Sequence, residues 1–350
     1  MEKNKDLKNL IEAEFLFYGI LKKAVSDLPE RSQEIIKMRF GISGESPQTL
    51  EAIGGRYQIS RERVRQIIRE IINKIKHEEK RALLEPAFAK IKFTVTQNNG
   101  IMSRKSLLNK LSEDSREQGV VEFLLNCTDE VKSKKEKGIL KDSVVIAGFN
   151  LNYWKEIIEQ VKLMLEEEKK VFKSDHLFEK VFDRGAKRDR KEFFCHLSVS
   201  EEIKKNNFGK WGLAHWSEIN PKGTREKTFL VMKEIKKPLH YSKVANLIED
   251  YQLSEKSVHP QTVHNELIKD DRFVLVGRGK YALSEWGYKK GTVKDVLKDV
   301  LNERGKPMER EDIVSEVLSL RDVKASTVVV NLNSFFKKVG EDKYTVKKLV

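Results

Sequence analysis

An unbroken series of apolar positions predicts the most regular helix in the chain. Six valine and isoleucine residues recur at spacings of three and four, the period of one α-helical face. They are Val64, Ile67, Ile68, Ile71, Ile72 and Ile75. Ser60 precedes them and is a good N-cap, because its hydroxyl can accept a hydrogen bond from a free N–H of the first turn. The pattern therefore predicts a helix that begins after Ser60 and buries one face in a core.

Two shorter helical patterns come before this helix. The stretch PERSQEIIKMRF predicts a helix with Pro29 at its first position and Gly41 as its stop. The stretch TLEAIGGRY predicts a second short helix opened by Thr49, and QIS predicts the turn before the third helix. Two helices, a short turn and a third helix are the order of a helix-turn-helix.

The face opposite the apolar positions is polar and basic. Its residues, with those of the first turn, are Arg61, Glu62, Arg63, Arg65, Gln66 and Arg69. Cations at a helix N-terminus oppose the macrodipole, so these arginines favour an external anion such as DNA phosphate. In the major groove arginine pairs with guanine, glutamine pairs with adenine, and glutamate accepts from the cytosine amino group. The alternative interpretation is a solvated charged face on an ordinary helical hairpin.

These residues resemble a known family. Residues 28–76 are similar to region 4 of the primary-type sigma-70 sigma factors, which recognises the promoter −35 element, through LPER, MRFG, TLE and SRERVRQI. The resemblance implies base contacts by Arg61, Glu62 and Gln66. It also implies phosphate contacts by neighbouring side chains, which are Arg56, Ser60, Arg63, Arg65 and Arg69.

The resemblance implies double-stranded DNA and RNA polymerase as partners. In the family the first helix docks on the flap of the polymerase β subunit, so Arg31 to Phe40 is a candidate polymerase contact; the same residues could instead pack the domain. Gly55 departs from the family, which usually has a long polar side chain there, so we expect a less stable second helix or a backbone close to DNA. Only 27 residues precede Leu28, without an aromatic-rich strand-melting segment, and we therefore expect a region 4-like head rather than a complete initiation factor.

The remainder of the chain contains an internal repeat. GIMSRKSLLNKL, KVFKSDHLFEKV, KPLHYSKVANLI and KPMEREDIVSEV share one apolar spacing, and their first apolar residues lie 70, 67 and 69 residues apart. FGKWGLAHW, GRGKYALSEW and GEDKYTVKK follow the last three segments, and each predicts a glycine-containing turn and a strand. Residues 272–283 predict a complete hairpin, with Val274 and Val276 alternating against Phe273 and Leu275. The first segment lacks this hairpin motif.

Helix, short helix, helix and hairpin are the order of a winged helix-turn-helix. Residues 224–288 resemble the HARE-HTH family, which includes the RNA polymerase delta subunit, through KPLHYSKVA and GRGKYAL. Winged helices bind DNA through the third helix and the wing, and they also serve as protein docking modules. The candidate contacts in this module are Gln261, Thr262, His264, Arg278 and Lys280; their alternative interpretation is a solvated surface.

The predicted fold is therefore mainly α: a sigma region 4-like helix-turn-helix followed by tandem winged-helix modules with small β-hairpin wings. The predicted domains are an N-terminal helix (1–27), the region 4-like head (28–89), a divergent winged helix (90–152), a second repeat (153–222), the HARE-HTH-like module (223–289) and a last repeat (290–350).

Composition agrees with a polyanion partner. The 350 residues contain 68 Lys and Arg against 54 Asp and Glu, a formal charge of +14. Residues 1–90 contribute +4 and the repeats +10, so the excess is spread along the chain. No apolar run is long enough for a membrane span, and Cys127 and Cys195 are predicted to be reduced core residues of a cytoplasmic protein.

The sequence predicts a DNA-binding transcription protein without a cofactor or metal. It contains no GxxxxGK[ST], HExxH or GxSxG motif, so we expect no enzymatic activity. Two alternatives stay open. The chain could be an RNA polymerase-associated adaptor whose repeats dock proteins, or the DNA-binding subunit of a restriction or defence system.

Overall fold

The computed structural model of the protein describes residues 16–182 and 189–346, and it divides into two compact units at residues 204 and 205. Residues 1–15 of the predicted N-terminal helix and residues 347–350 of the last repeat lie outside the described residues. The fold is mainly helical, with small antiparallel sheets that fit the predicted wings.

Five helices form the N-terminal part of the first unit. They are α1 Phe17–Ala24, α2 Glu30–Phe40, α3 Leu50–Tyr57, α4 Arg61–Lys76 and α5 Glu78–Thr96. The predicted helix-turn-helix is present as α2 to α4. Pro29 is the N-cap of α2 rather than its first helical residue. Gly41 ends α2 with φ of 71°, a left-handed conformation that glycine adopts without steric cost.

The remaining chain repeats one order of helix, strand, two helices and hairpin. Repeat 1 consists of α5 and then β1 Ile101–Ser103, α6 Arg104–Leu111, α7 Ser115–Leu124, β2 Val131–Glu136 and β3 Leu140–Ile146. Repeat 2 consists of α8 Leu151–Glu168, β4 Phe172–Lys173, α9 Ser174–Val181, α10 Arg190–Ser198, β5 Ile203–Lys205 and β6 Lys210–Leu213. The β2–β3 hairpin is present in repeat 1 although the sequence motif is not.

The second unit contains the end of repeat 2, from residue 205, and the last two repeats. Repeat 3 consists of α11 Thr224–Ile235, β7 Leu239–His240, α12 Tyr241–Asp250, α13 Pro260–Lys269, β8 Phe273–Gly277 and β9 Lys280–Leu283. Repeat 4 consists of α14 Val293–Arg304, β10 Met308–Glu309, α15 Arg310–Leu320, α16 Ala325–Phe335, β11 Lys337–Val339 and β12 Lys343–Thr345. In repeats 1, 3 and 4 the last strand lies between the other two, so each hairpin extends to the short first strand.

The hairpin of repeat 3 spans the predicted residues. Val274 and Val276 are buried as one small cluster with Ala282, whereas Phe273 is buried in the main core of the repeat. Leu275 alone is exposed among these four positions. The valines therefore alternate against Phe273 as predicted, and both faces of β8 contain buried apolar residues.

One hydrophobic core joins the helix-turn-helix to repeat 1. Its buried residues run from Phe17 in α1 to Val144 in β3. Helix α7 packs on the end of α2: the Phe40 and Phe123 rings meet edge to face at 5.2 Å, and a Cβ added to Gly119 would lie 2.4 Å from the Phe40 carbonyl oxygen. Helix α5 crosses the predicted boundary at residue 90. The head and repeat 1 are therefore packed as one body.

Candidate nucleic-acid interface

The turn between α3 and α4 sets the position of the candidate recognition helix. The Thr49 Oγ1 accepts a hydrogen bond from Ala52 N at 3.1 Å, and the Ser60 Oγ accepts one from Arg63 N at 3.1 Å, so both predicted N-caps are present. The Ile59 N–H donates to the Gly54 carbonyl at 3.0 Å. A Cβ added at Gly54 would lie 2.7 Å from the Ile59 carbonyl oxygen, so this close approach requires glycine.

Helix α4 has the two faces that its sequence predicts. Val64, Ile68, Ile71 and Ile75 are buried. The predicted DNA contacts lie on the exposed side of the helix and its first turn, and they are Ser60, Arg61, Glu62, Arg63, Arg65, Gln66 and Arg69. The described structure therefore presents these side chains together on one open surface.

Two of the candidate base contacts, Glu62 and Gln66, are hydrogen-bonded to candidate phosphate contacts. Arg65 donates two hydrogen bonds to Glu62, from Nε at 2.9 Å and from Nη2 at 2.5 Å, and they hold the pKa of the Glu62 carboxyl below its usual value. Arg63 Nη1 donates to Gln66 Oε1 and to Glu70 Oε1, each at 3.2 Å. Ion pairs between exposed side chains contribute only about 0–1 kcal/mol, so DNA can displace these contacts at little cost.

Helix α3 carries the predicted phosphate contact Arg56 and the departure from the family at Gly55. The exposed Arg56 places Nη1 3.6 Å from the Met38 Sδ, and its guanidinium is directed toward α2. A Cβ added to Gly55 would meet no atom within 4 Å. The space beside Gly55 is therefore open, and the expected closeness of its backbone to DNA stays a prediction.

The candidate polymerase contact on α2 presents few apolar side chains. Ile35 and Met38 are buried in the helix-turn-helix cluster, and Ile36 is buried in the larger core. On the outer side, the Arg31 guanidinium lies 5.1 Å from the centre of the Tyr57 ring and donates to the Tyr57 carbonyl at 3.3 Å. The Tyr57 hydroxyl donates to Glu34. Most of the apolar surface of α2 therefore packs the domain.

Comparison with known proteins agrees with this geometry. Residues 24–77 match the family model of Sigma-70, region 4. This part of the chain is a sigma-70 region 4 domain. Over 76 residues the chain is 33% identical both to the RNA polymerase sigma factor RpoD of Neisseria gonorrhoeae and to the RNA polymerase sigma factor SigA of Bacillus sp.

The likeness is confined to a small part of each protein. It covers 21% of this chain, 12% of the Neisseria protein and 20% of the Bacillus protein. The chain thus spans about a fifth or less of the length of these relatives. The region 4 match ends at residue 77 and gives no support to the HARE-HTH resemblance of residues 224–288, which stays a prediction.

The predicted contacts of repeat 3 occupy different environments. Gln261 and Thr262 are exposed at the start of α13. His264 is partly buried, with its ring 4.5 Å from that of Tyr241. Its Nδ1 lies 3.4 Å from the Gln261 Nε2. The third helix therefore offers two freely exposed polar groups at its start and one stacked imidazole.

The two predicted wing residues also differ. Arg278 is exposed at the turn, whereas the Lys280 Nζ forms an ion pair with Asp322 Oδ2 of repeat 4 at 2.8 Å. Asp322 belongs to the segment between α15 and α16, and its carbonyl would lie 2.9 Å from a Cβ added to Gly277. This face of the hairpin therefore packs against the next repeat.

Arg321 stabilises the contact between the hairpin of repeat 3 and repeat 4, and this role was not predicted from the sequence. Arg321 is only 5% exposed. Its Nη1 donates to the Leu275 carbonyl at 2.7 Å and to the Lys289 carbonyl at 3.3 Å. Its position directly after a helix gives no sequence signal for burial, because an arginine there is usually solvated. Its burial depends on the neighbouring repeat.

A similar contact lies within the second unit, which begins at residue 205. In the turn before β6, the Asn207 Nδ2 donates to the Tyr251 carbonyl at 2.7 Å and to the Gln252 carbonyl at 3.0 Å. The Phe208 and Tyr251 rings are 4.5 Å apart. Tyr251 directly follows the second helix of repeat 3, as Arg321 directly follows the second helix of repeat 4. The hairpins of this unit thus contact equivalent positions on the following repeats.

Among residues 16–182 and 189–346, no group of three or more His, Cys, Asp and Glu side chains could hold a metal ion. None of the helices described is long and apolar enough to cross a membrane. Cys127 and Cys195 are both free, and burial raises the pKa of the Cys127 thiol to about 12.

Proposed function

We propose that this protein is a sequence-specific DNA-binding protein of transcription, in which the region 4 domain recognises a −35-like element. The observation that carries the proposal is the exposed face of α4 within a region 4 domain. We assign Arg61, Glu62 and Gln66 to base edges, because their side chains match the donor and acceptor pattern of the major groove.

The neighbouring basic side chains would hold the DNA backbone. They are Arg56, Arg63, Arg65 and Arg69, with the Ser60 hydroxyl as a further donor. Each neutralised phosphate releases counterions, so affinity is expected to fall steeply as salt increases. The hydrogen bonds between Arg65 and Glu62 would have to break when Glu62 binds a base and Arg65 binds a phosphate, so the two DNA contacts would form together.

Selection of bound sequences from random duplex DNA tests this proposal with the full chain. Gln66→Ala is expected to lose preference at one base pair by about 1–3 kcal/mol, because a bidentate base contact disappears. Arg65→Ala is expected to weaken all sequences alike and to lower the salt slope by about 1. If both variants change every sequence equally, direct recognition by α4 is wrong.

A second candidate is an RNA polymerase-associated adaptor whose repeats dock proteins. It is favoured by the third helix of repeat 4, where α16 has no basic residue and Val330 and Phe335 are 62% and 46% exposed. The packing of Lys280 on repeat 4 also reduces the charge that this hairpin offers to DNA. A pull-down with core polymerase at moderate salt distinguishes this role from DNA binding alone.

We further propose that the protein acts in the cytoplasm, with double-stranded DNA and the polymerase β flap as partners, and that it has no enzymatic activity of its own. The region 4 domain supports the assignment to the cytoplasm and the assignment of DNA and the polymerase as partners. An exposed contact on the flap would involve Arg31 and Glu34, because the apolar residues of α2 are largely buried. Charge reversal at Arg31 should therefore weaken polymerase binding if the flap contact is made there.

A further inference from the structure

The hairpin of repeat 1 is rich in lysine. Residues 131–141 contain five lysines and one glutamate. Four of the lysines, Lys132, Lys134, Lys135 and Lys137, are exposed, and no ion pair joins them to an acidic side chain in the described part of the chain. Glu136 pairs with Lys155 at 2.8 Å and so does not neutralise them. The hairpin therefore presents a concentrated positive charge.

This charge is carried by an ordered element. Strand β2 pairs with β3 in a register that places Lys132 opposite Val145 and Lys134 opposite Ser143. Close to the turn, the Gly138 N–H donates to the Glu201 Oε2 at 2.8 Å and the Lys141 N–H donates to the Val199 carbonyl at 3.0 Å. The turn of the hairpin is thus fixed, which lowers the entropic cost of binding a ligand.

Protection of a sheet edge explains only part of this pattern. Strand β2 is the outer strand of its sheet, and lysines on an outer strand prevent pairing with another chain. That role accounts for Lys132 and Lys134, which lie in the regular ladder. It does not account for Lys135, at the irregularity between Lys134 and Glu136, or for Lys137 at the turn.

The hairpin begins beside the end of α4. The Lys76 Nζ forms an ion pair with Asp129 Oδ1 at 3.1 Å, two residues before β2. From Gln66 to Lys76 an α-helix rises about 15 Å at roughly 1.5 Å per residue. This distance is less than one turn of B-DNA, about 34 Å. The lysines follow Asp129 along β2 at about 3.3 Å per residue, so a duplex held at Gln66 has to extend beyond the element that α4 contacts to reach them.

The third helix of the same repeat is not free to enter a groove. On α7, Gly119 and Phe123 pack against the end of α2, and the buried Glu117 carboxylate accepts a hydrogen bond from Tyr18 N at 3.0 Å. The hairpin would consequently bind without a base-reading helix of its own. Its contacts would be made to phosphates and would be independent of sequence.

We propose that the β2–β3 hairpin is a second DNA-binding site, which holds phosphates of the duplex beside the element recognised by α4. The inference rests on the proposed function of the region 4 domain. It assigns the region 4 domain to sequence recognition and the hairpin of repeat 1 to affinity on longer DNA.

The test measures DNA affinity of the full chain against salt, on a duplex of about 12 base pairs that covers only the selected element and on one of about 30 base pairs, roughly three helical turns. The test variant replaces Lys132, Lys134, Lys135 and Lys137 by alanine. A matched control replaces four exposed lysines elsewhere in the first unit, namely Lys22, Lys23, Lys105 and Lys110. Hydrogen exchange of β2 and β3 checks that both variants remain folded.

On the long duplex, the hairpin variant is expected to lower the slope of log K against log salt by about 2–4, since each phosphate contact contributes about 0.9. On the short duplex it should match the unmodified protein, and the control should retain most of its slope on both. An unchanged slope on the long duplex, or an equal loss on both duplexes, overturns the inference while leaving recognition by α4 intact. Failure of the unmodified chain to select any duplex refutes both proposals.

Discussion

Two adjacent glycines in α3 allow a direct test of how the helix-turn-helix is packed. A Cβ at Gly54 would lie 2.7 Å from the Ile59 carbonyl oxygen, about 0.7 Å closer than the 3.4 Å at which ordinary contact begins. Movement of this carbonyl is restrained, because the Ile59 N–H donates a hydrogen bond to the Gly54 carbonyl. At Gly55 a Cβ meets nothing within 4 Å.

The two substitutions by alanine should act in opposite directions. Both gain about 0.5–1 kcal/mol from the better helix propensity of alanine. Gly54→Ala also introduces overpacking, which typically costs about 1–3 kcal/mol. Because the propensity gain is common to both variants, the difference between them isolates the steric cost. We expect Gly55→Ala to stabilise α3 and Gly54→Ala to destabilise it.

Hydrogen exchange of the α3 and α4 amides is the suitable assay, because a chain with two units need not unfold in a single transition. Where closing is faster than chemical exchange, a difference of about 1–3 kcal/mol in the free energy of opening corresponds to roughly a 5- to 150-fold difference in exchange rate. Gly54→Ala should also weaken DNA binding, since α4 must shift relative to α3. Equal exchange rates in the two variants would refute the packing argument.

Three further predictions concern the contacts between elements. Gly119→Ala should speed exchange in α2 and α7, because its Cβ would lie 2.4 Å from the Phe40 carbonyl oxygen; unchanged exchange would contradict this packing. Arg321→Met should cost about 1–3 kcal/mol by removing the hydrogen bonds of the buried Arg321 to the Leu275 and Lys289 carbonyls, and it should increase proteolysis between repeats 3 and 4, whereas Arg278→Met, at an exposed site, should change neither. His196 is 1% exposed and burial lowers its pKa to about 4, so the free energy of unfolding should fall as pH decreases from about 6.5 to 4; His196→Phe should reduce this dependence, measured by denaturant unfolding at each pH.

The local features of the region 4 domain could be predicted from its sequence. The apolar spacing from Val64 to Ile75 identified the buried face of α4, and Thr49 and Ser60 identified the starts of two helices. Such signals depend on neighbours a few residues away, so they are visible along the chain. The exposed position of Gln66 follows from the same periodicity.

Contacts between distant segments could not be predicted in this way. The burial of Arg321 depends on the carbonyl of Leu275, and the burial of Glu117 depends on the N-terminus of α1. The hairpin of repeat 1 was missed for a different reason. Its turn is lysine-rich and lacks the lysine and aromatic pair that identified the other hairpins, although its Gly138 and the flanking lysines were a usable signal.

The contacts from one repeat to the next restrict how such a chain can evolve. In repeat 3, the end of the second helix accepts a hydrogen bond from Asn207, and the hairpin accepts one from Arg321 of repeat 4. A duplicated copy inserted between them would have to match both neighbours at once. Gain or loss of a repeat in this unit should therefore require compensating substitutions at two junctions, and conserved pairs across those junctions would record the order in which the repeats arose.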